Sequence, residues 1–175
     1  LAAIAEVAGK HVSQQVAHIT TRQDIQLHHV PLAETGAVLR RLSEDDLTTR
    51  EACGNTVRNI TACPLAGVCP REHTDVTKHL DGAVAHFLRN PLNQQLPRKV
   101  KISFSGCEAD CAQGLIHDIG IVATRRGDRT GFTVLAGGGL GHKPHEAIAV
   151  AEFIEEKDLL PAMETLARSL EDKAS

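Results

Sequence analysis

Four cysteines in two short loops, far apart along the chain, constrain this sequence most. Five residues separate Cys63 from Cys69, and three separate Cys107 from Cys111. Both pairs lie in Gly- or Pro-containing stretches, Thr61-Ala-Cys-Pro-Leu-Ala-Gly-Val-Cys69 and Ser105-Gly-Cys-Glu-Ala-Asp-Cys111, so only folding can bring them together. Thiolates select zinc, Cu(I) or iron–sulfur centres, and a [4Fe–4S] cluster takes four of them. Structural zinc sites usually pinch the metal with tight knuckles of two to four intervening residues. The gap after Cys63 makes a wider loop, better suited to two corners of a cubane. Spacing alone therefore favours a [4Fe–4S] cluster on Cys63, Cys69, Cys107 and Cys111, with a structural zinc or four unligated thiols as the alternatives.

The chain has 175 residues, enough for one domain with a true core or one domain plus a small appendage. Its net charge of −3 and pI of about 6.4 leave no electrostatic footprint for nucleic acid or a membrane surface. Trp and Tyr are absent, which removes most of the side chains used for base stacking. No run reaches the ~18 apolar residues that span a bilayer, and no signal peptide is visible. Five cysteines are an odd count and nothing suggests secretion, so reduced thiols and a cytoplasmic location are expected. Cys53, the fifth, reads as a small buried hydrophobe. The chain opens on Leu1 rather than Met and ends in a charged run, which reads as a piece of a longer polypeptide or a processed one.

The periodicity mixes helices and strands. Residues 1–12 suggest a short helix, 16–21 and 24–30 two extended segments, and 31–41 a helix with Leu32, Val38, Leu39 and Leu42 as its apolar stripe. Ser43-Glu-Asp-Asp46 reads as a linker, dividing 1–46 from 47–175. Residues 48–72 carry few periodic signals and read as a long functional loop. The clearest helix is 75–89, with Thr74 as cap. Residues 99–105 alternate strictly: Val100, Ile102 and Phe104 face one way, and Lys99, Lys101, Ser103 and Ser105 the other. Two more strands, 119–124 and 132–135, flank a hairpin at 126–129. Residues 147–154 fit strand or helix, and 156–172 a helix with Leu159, Met163, Leu166 and Leu170 on one face. The expected class is α+β, with a mixed, largely antiparallel sheet packed by helices.

The cysteine pattern sits among further segments in a recognisable order: Thr20-Thr-Arg-Gln-Asp-Ile-Gln-Leu, Val57-Arg-Asn-Ile-Thr, Leu96-Pro-Arg-Lys-Val-Lys and Val134-Leu-Ala-Gly-Gly-Gly-Leu. Together they resemble the sirohaem/[4Fe–4S] domain of the nitrite and sulfite reductase family, over most of the chain from Ala17 onward. The resemblance implies a haemoprotein-like domain over 47–175 and part of a ferredoxin-like half-domain over 1–46. It implies sirohaem beside the cluster, with Cys111 bridging the two. It places Arg58, Lys99 and Lys101 on the substrate anion as catalytic and cofactor-binding groups, and Arg22 on sirohaem carboxylates. On pattern alone, Lys99 and Lys101 read as a solvated strand face, with their ammonium groups ~7 Å apart. The implied reaction is the six-electron reduction of sulfite to sulfide or nitrite to ammonium. A ferredoxin or flavoprotein would donate electrons, and a second reductase half, from the same chain or another subunit, would complete the site. A cobalamin-pathway member, or a non-catalytic Fe–S or zinc-stabilised module, is the alternative.

Two departures bear on function. Many family members read Cys-Pro-Asn-Gly-Cys at the second pair, where this chain has Cys107-Glu-Ala-Asp-Cys111. Glu108 and Asp110 would lower the cluster potential unless both point outward. His18 stands where many members carry a further substrate-binding arginine. The run Gly137-Gly-Gly-Leu-Gly141 lacks the Gly-Lys-Ser/Thr of a phosphate loop and reads as a turn.

Overall fold

The computed structural model describes residues 1–171, with side chains through residue 169. The chain forms two compact units, Leu1–Arg50 and Glu51–Ser175.

In the first unit, α1 (Ala2–His11) buries Ala3, Val7 and Ala8. A two-stranded antiparallel ribbon follows, β1 (Ala17–Ile19) on β2 (Ile25–Leu27), with His18 opposite Gln26. α2 (Thr35–Ser43) begins after a 3-10 turn, Leu32–Glu34. Val7, Val38 and Leu42 form the core, with Ile4, Leu27 and Val30 around them. The apolar stripe is narrower than its sequence suggests: Leu32 is 91% exposed and Leu39 43%. Glu6 ties the two helices electrostatically, accepting from Lys10 Nζ at 2.7 Å and Arg41 Nε at 2.8 Å.

The second unit is a five-stranded mixed sheet in the order β3-β4-β5-β6-β7. β3 (Val57–Ala62), β4 (Val100–Ser105) and β5 (Ile119–Arg126) run parallel to one another. β6 (Arg129–Ala136) and β7 (Ile148–Ile154) add antiparallel strands. Counting the small ribbon, three of the five pairings are antiparallel, in keeping with the expected α+β class. The stretch 48–72 is not one long loop, because it contains β3. It is an edge strand whose apolar residues, Val57, Ile60 and Ala62, do not alternate, and a register shift between Val57 and Asn59 breaks the period-two pattern. Residues 148–154 resolve as strand.

One face of the sheet carries Val100, Ile102, Phe104, Ile119, Ile121, Phe132 and Val134. They pack against Val76 and residues of α3 (Thr77–Phe87) and α4 (Glu156–Glu171), including Phe87, Leu159 and Met163. Leu166 joins this core; Leu170's side chain and residue 172 lie outside what is described. The N-cap position of α3 is Val76, not Thr74, and carries no side-chain cap; just before it, Asp75 Oδ1 accepts from Thr77 N–H at 2.9 Å and Thr77 Oγ1 at 2.7 Å. Those two bonds hold its carboxyl below the usual range. On the opposite face Ser103 and Ser105 are buried too, at 0% and 1% exposure, beneath the chain that follows β4. That chain comes close because Gly120 has no Cβ. A Cβ there would lie 2.7 Å from the Gly114 backbone.

Gly120→Ala is expected to lower unfolding free energy by roughly 1–3 kcal/mol, the usual cost of overpacking, measured by urea denaturation. In the first unit, Lys10 and then Arg41 lower the Glu6 carboxyl to about 2. A group depressed in this way favours the fold above its unfolded value of about 4.5 and loses that contribution as pH falls toward 2. Lys10→Gln should raise the Glu6 midpoint, read by carboxyl NMR titration.

Candidate functional site

The parallel register of β3 and β4 decides where the cysteines go. Ala62 stands opposite Phe104, and Cys63 N–H donates to the Phe104 carbonyl at 2.8 Å. Cys63 therefore emerges at the same sheet edge as Gly106 and Cys107. Cys69 returns over a tight turn, with its N–H on the Leu65 carbonyl at 2.9 Å and Ala66 N–H on that of Cys63 at 3.0 Å. His73 N–H then donates to Gly106 O at 2.8 Å, fastening the first cysteine loop onto the second.

Cys69 and Cys111 lie near enough to Cys63 to act on its thiol. Its thiol is pushed up, first by burial and then by these neighbours, against the Leu65 backbone N–H that lowers it. Four free thiols on two loops that leave the same end of β3 and β4 are the soft donor set that a [4Fe–4S] cluster takes. Cys107 is buried, Cys63 and Cys69 half-buried, and Cys111 exposed. Among the described residues, no group of three or more His, Cys, Asp or Glu side chains is close enough to hold a metal ion. Cys53 is exposed, not buried as its composition suggested. It lies in an open turn before β3, where no strand or helix covers it.

The two acidic residues of the second loop do structural work. Asp110 sits in the left-handed region, at φ 46°, where Gly stands in the Cys-Pro-Asn-Gly-Cys version. Its carboxylate accepts from Ser105 Oγ at 2.7 Å, Gly114 N–H at 2.8 Å and Leu115 N–H at 3.4 Å. Asp110 is thereby turned into the protein, and it pins the loop to the end of β4. Glu108 accepts from His73 Nε2 at 2.6 Å and Thr124 Oγ1 at 3.1 Å. Burial opposes its charge, but its own backbone N–H, His73 and Thr124 outweigh that and hold the carboxyl below the usual range.

The cations lie elsewhere. Arg58 is at the start of β3, its Nε donating to Gly54 O at 2.8 Å. Lys99 precedes β4, and Lys101 is half-buried rather than solvated. Asp118 Oδ2 accepts the Lys101 backbone N–H at 2.8 Å and lies 3.7 Å from its Nζ. Sequence reading missed Asp118 because it arrives from the next strand, 17 residues on. Arg58, Lys99 and Lys101 thus gather at the edge where β3 and β4 begin, and the cysteines where they end. Arg22 belongs to the first unit, half-buried in the β1–β2 turn with its N–H on Thr20 Oγ1 at 3.2 Å. His18 is exposed on β1, its ring 4.9 Å from that of His28.

A mixed sheet that delivers two cysteine loops to one edge defines an iron–sulfur redox domain. Comparison with known proteins then gives its family. The family described as "Nitrite and sulphite reductase 4Fe-4S domain" matches residues 53–172, and the "Nitrite/Sulfite reductase ferredoxin-like half domain" matches residues 1–45. The chain belongs to the nitrite and sulfite reductase family, whose cofactors are a [4Fe–4S] cluster and sirohaem. It is 38% identical over 145 residues to an assimilatory ferredoxin-dependent nitrite reductase of Haloferax mediterranei, covering 80% of this chain and 25% of that protein. It is 31% identical to a ferredoxin–nitrite reductase of Leptolyngbya laminosa, covering 93% of this chain and 33% of that one. The structure of the Mycobacterium tuberculosis NirA protein superposes with a TM-score of 0.86 at 25% identity, over 97% of this chain and 31% of that one. A dissimilatory sulfite reductase I shares the fold, with a TM-score of 0.77 at 13% identity, over 93% of this chain and 56% of that one. This chain spans about a quarter to a third of the length of these sequence relatives.

Asp110→Asn keeps an acceptor for Gly114 N–H and removes one negative charge beside the cysteines. It should raise the cluster's reduction potential, read by redox titration. Asp110→Ala also strips Ser105 and Gly114 of their partner and should cost about 1–3 kcal/mol of stability.

Proposed function

We propose that this chain is one half of a sirohaem- and [4Fe–4S]-dependent reductase that carries out the six-electron reduction of sulfite to sulfide or nitrite to ammonium. The observation that supports this reading best is the register of β3 and β4, which sends the Cys63–Cys69 and Cys107–Cys111 loops out at one shared end. Cys63, Cys69, Cys107 and Cys111 would hold the cluster, and Cys111 would also hold sirohaem. When bound, the coupled group supplies electrons and the metal at which the oxyanion is reduced.

The chain's own residues bind and orient. Arg58, Lys99 and Lys101 supply cationic donors to a small oxyanion, and charge-assisted hydrogen bonds of this kind are the strong ones. Lys101 can pass a proton to an oxygen that leaves as water. Asp118 fixes its direction. Arg22 offers a guanidinium to sirohaem carboxylates, which need several cationic partners. Electrons come from a ferredoxin or a flavoprotein; the names of the ferredoxin-dependent relatives favour the former. A second half, from the same polypeptide or another subunit, completes the site. Among the described residues, no helix is long and apolar enough to cross a membrane.

Anaerobic reconstitution with iron, sulfide and sirohaem tests this directly. The expected spectrum has a strong Soret-like band over the broad ~400 nm absorption of a cluster. Cys107→Ser should lose the cluster contribution. A colourless product from the unaltered protein sinks the reading.

A further inference from the structure

One histidine holds both cysteine loops. His73 follows the first loop, and its backbone N–H donates to Gly106 O, next to Cys107 in the second, at 2.8 Å. The chain around it lies directly on Gly106. A Cβ at that position would come within 3.1 Å of Glu72 Cβ and 3.2 Å of the Thr74 carbonyl oxygen. The ring makes a second link, with Nε2 at 2.6 Å from Glu108 Oε2. An ionised carboxylate only accepts, so the ring nitrogen is the donor.

The same carboxylate takes a second hydrogen bond on its other oxygen, from Thr124 Oγ1 at 3.1 Å. Thr124 belongs to β5 and stands two residues beyond Val122, the partner of Ser105. Glu108 is therefore drawn past the end of β4 toward the neighbouring strand, while its backbone stays one residue from Cys107. The His73 and Glu108 side chains are 23% and 56% exposed. An ion pair this open to water adds little to folding stability. Its charge and hydrogen bonds nevertheless sit beside a cysteine, and both quantities tune an iron–sulfur centre and the hold on its metal.

We propose that His73 is a positioning residue of the cluster, acting through Glu108: its ring fixes that carboxylate over β5 and thereby sets the cluster's reduction potential and the firmness with which the chain keeps its iron. This rests on the cluster assignment made under the proposed function. Substituting His73 removes only the ring contact, since the backbone bond to Gly106 needs no side chain. Without the ring, the Glu108 charge loses a donor and swings free next to Cys107. More negative charge beside the cluster favours its oxidised form and lowers the potential.

The test uses the purified holoenzyme. The cluster potential is read by EPR-monitored redox titration, and iron retention by the concentration of an iron chelator that strips half the iron. The unaltered protein should carry about four irons per chain in the cluster. Their absence would remove the ligand assignment, and the proposal with it, before any variant is made. His73→Ala should lower the potential and reduce the stripping concentration by about tenfold or more, the usual effect of losing a partner behind a metal ligand. Its thermal midpoint should stay close to that of the unaltered protein. Glu108→Gln should raise the potential, and in that background His73→Ala should shift it much less, because no charge remains to be held. Thr124→Val, which removes the other donor, should lower the potential as His73→Ala does, and it decides the matter if His73→Ala retains too little cluster to titrate. An unchanged potential in both single donor variants would overturn the proposal. So would a His73→Ala shift that persists in full in the Glu108→Gln background, since the ring would then act by some route other than Glu108.

Discussion

The parallel pairing of β3 with β4 is the constraint on which the rest of this structure depends. Its register, Ala62 opposite Phe104, sends Cys63 and Cys107 out of the sheet side by side. A slip of one residue would turn both strands over, because side chains alternate faces along a strand. Burial enforces the register: Ile102 and Phe104 are fully enclosed against the helices, while Ser103 and Ser105 are enclosed on the other side. A strand covered on both faces has no tolerant side onto which a slip can place its polar residues.

Loop chemistry then refines what the strands deliver. The second cysteine loop carries Glu108-Ala-Asp110 between its cysteines. Asp110 takes the left-handed conformation itself and stabilises it by accepting from Ser105 and Gly114. Asp tolerates that conformation better than most residues, since its short side chain bonds locally. The sheet answers with Gly120, which lets Gly114 approach its backbone. Loop and sheet are thus fitted to each other through two glycines and one carboxylate.

The same topology separates charge. Parallel strands have a starting edge and a finishing edge, and here each edge has its own chemistry. Cations at the start and thiols at the finish cannot meet within one copy, since β4 alone is longer than any lysine.

The sequence by itself determined the ligand chemistry, the class of fold and most of the elements. Cysteine spacing is a local property, and so are the apolar periods of α1, α3 and α4 and the alternation of β4. It did not reveal β3, because an irregularity between Val57 and Asn59 interrupts the alternation of that edge strand. It left 148–154 open, and it read Cys53 as buried when the chain around it stays uncovered. Tertiary structure alone decided that the two cysteine loops leave one end of the sheet, that Asp118 contacts Lys101, and that Lys101 and Cys107 belong to opposite edges. Those facts follow from which strands pair and in which direction, and pairing joins residues tens of positions apart that no local pattern connects.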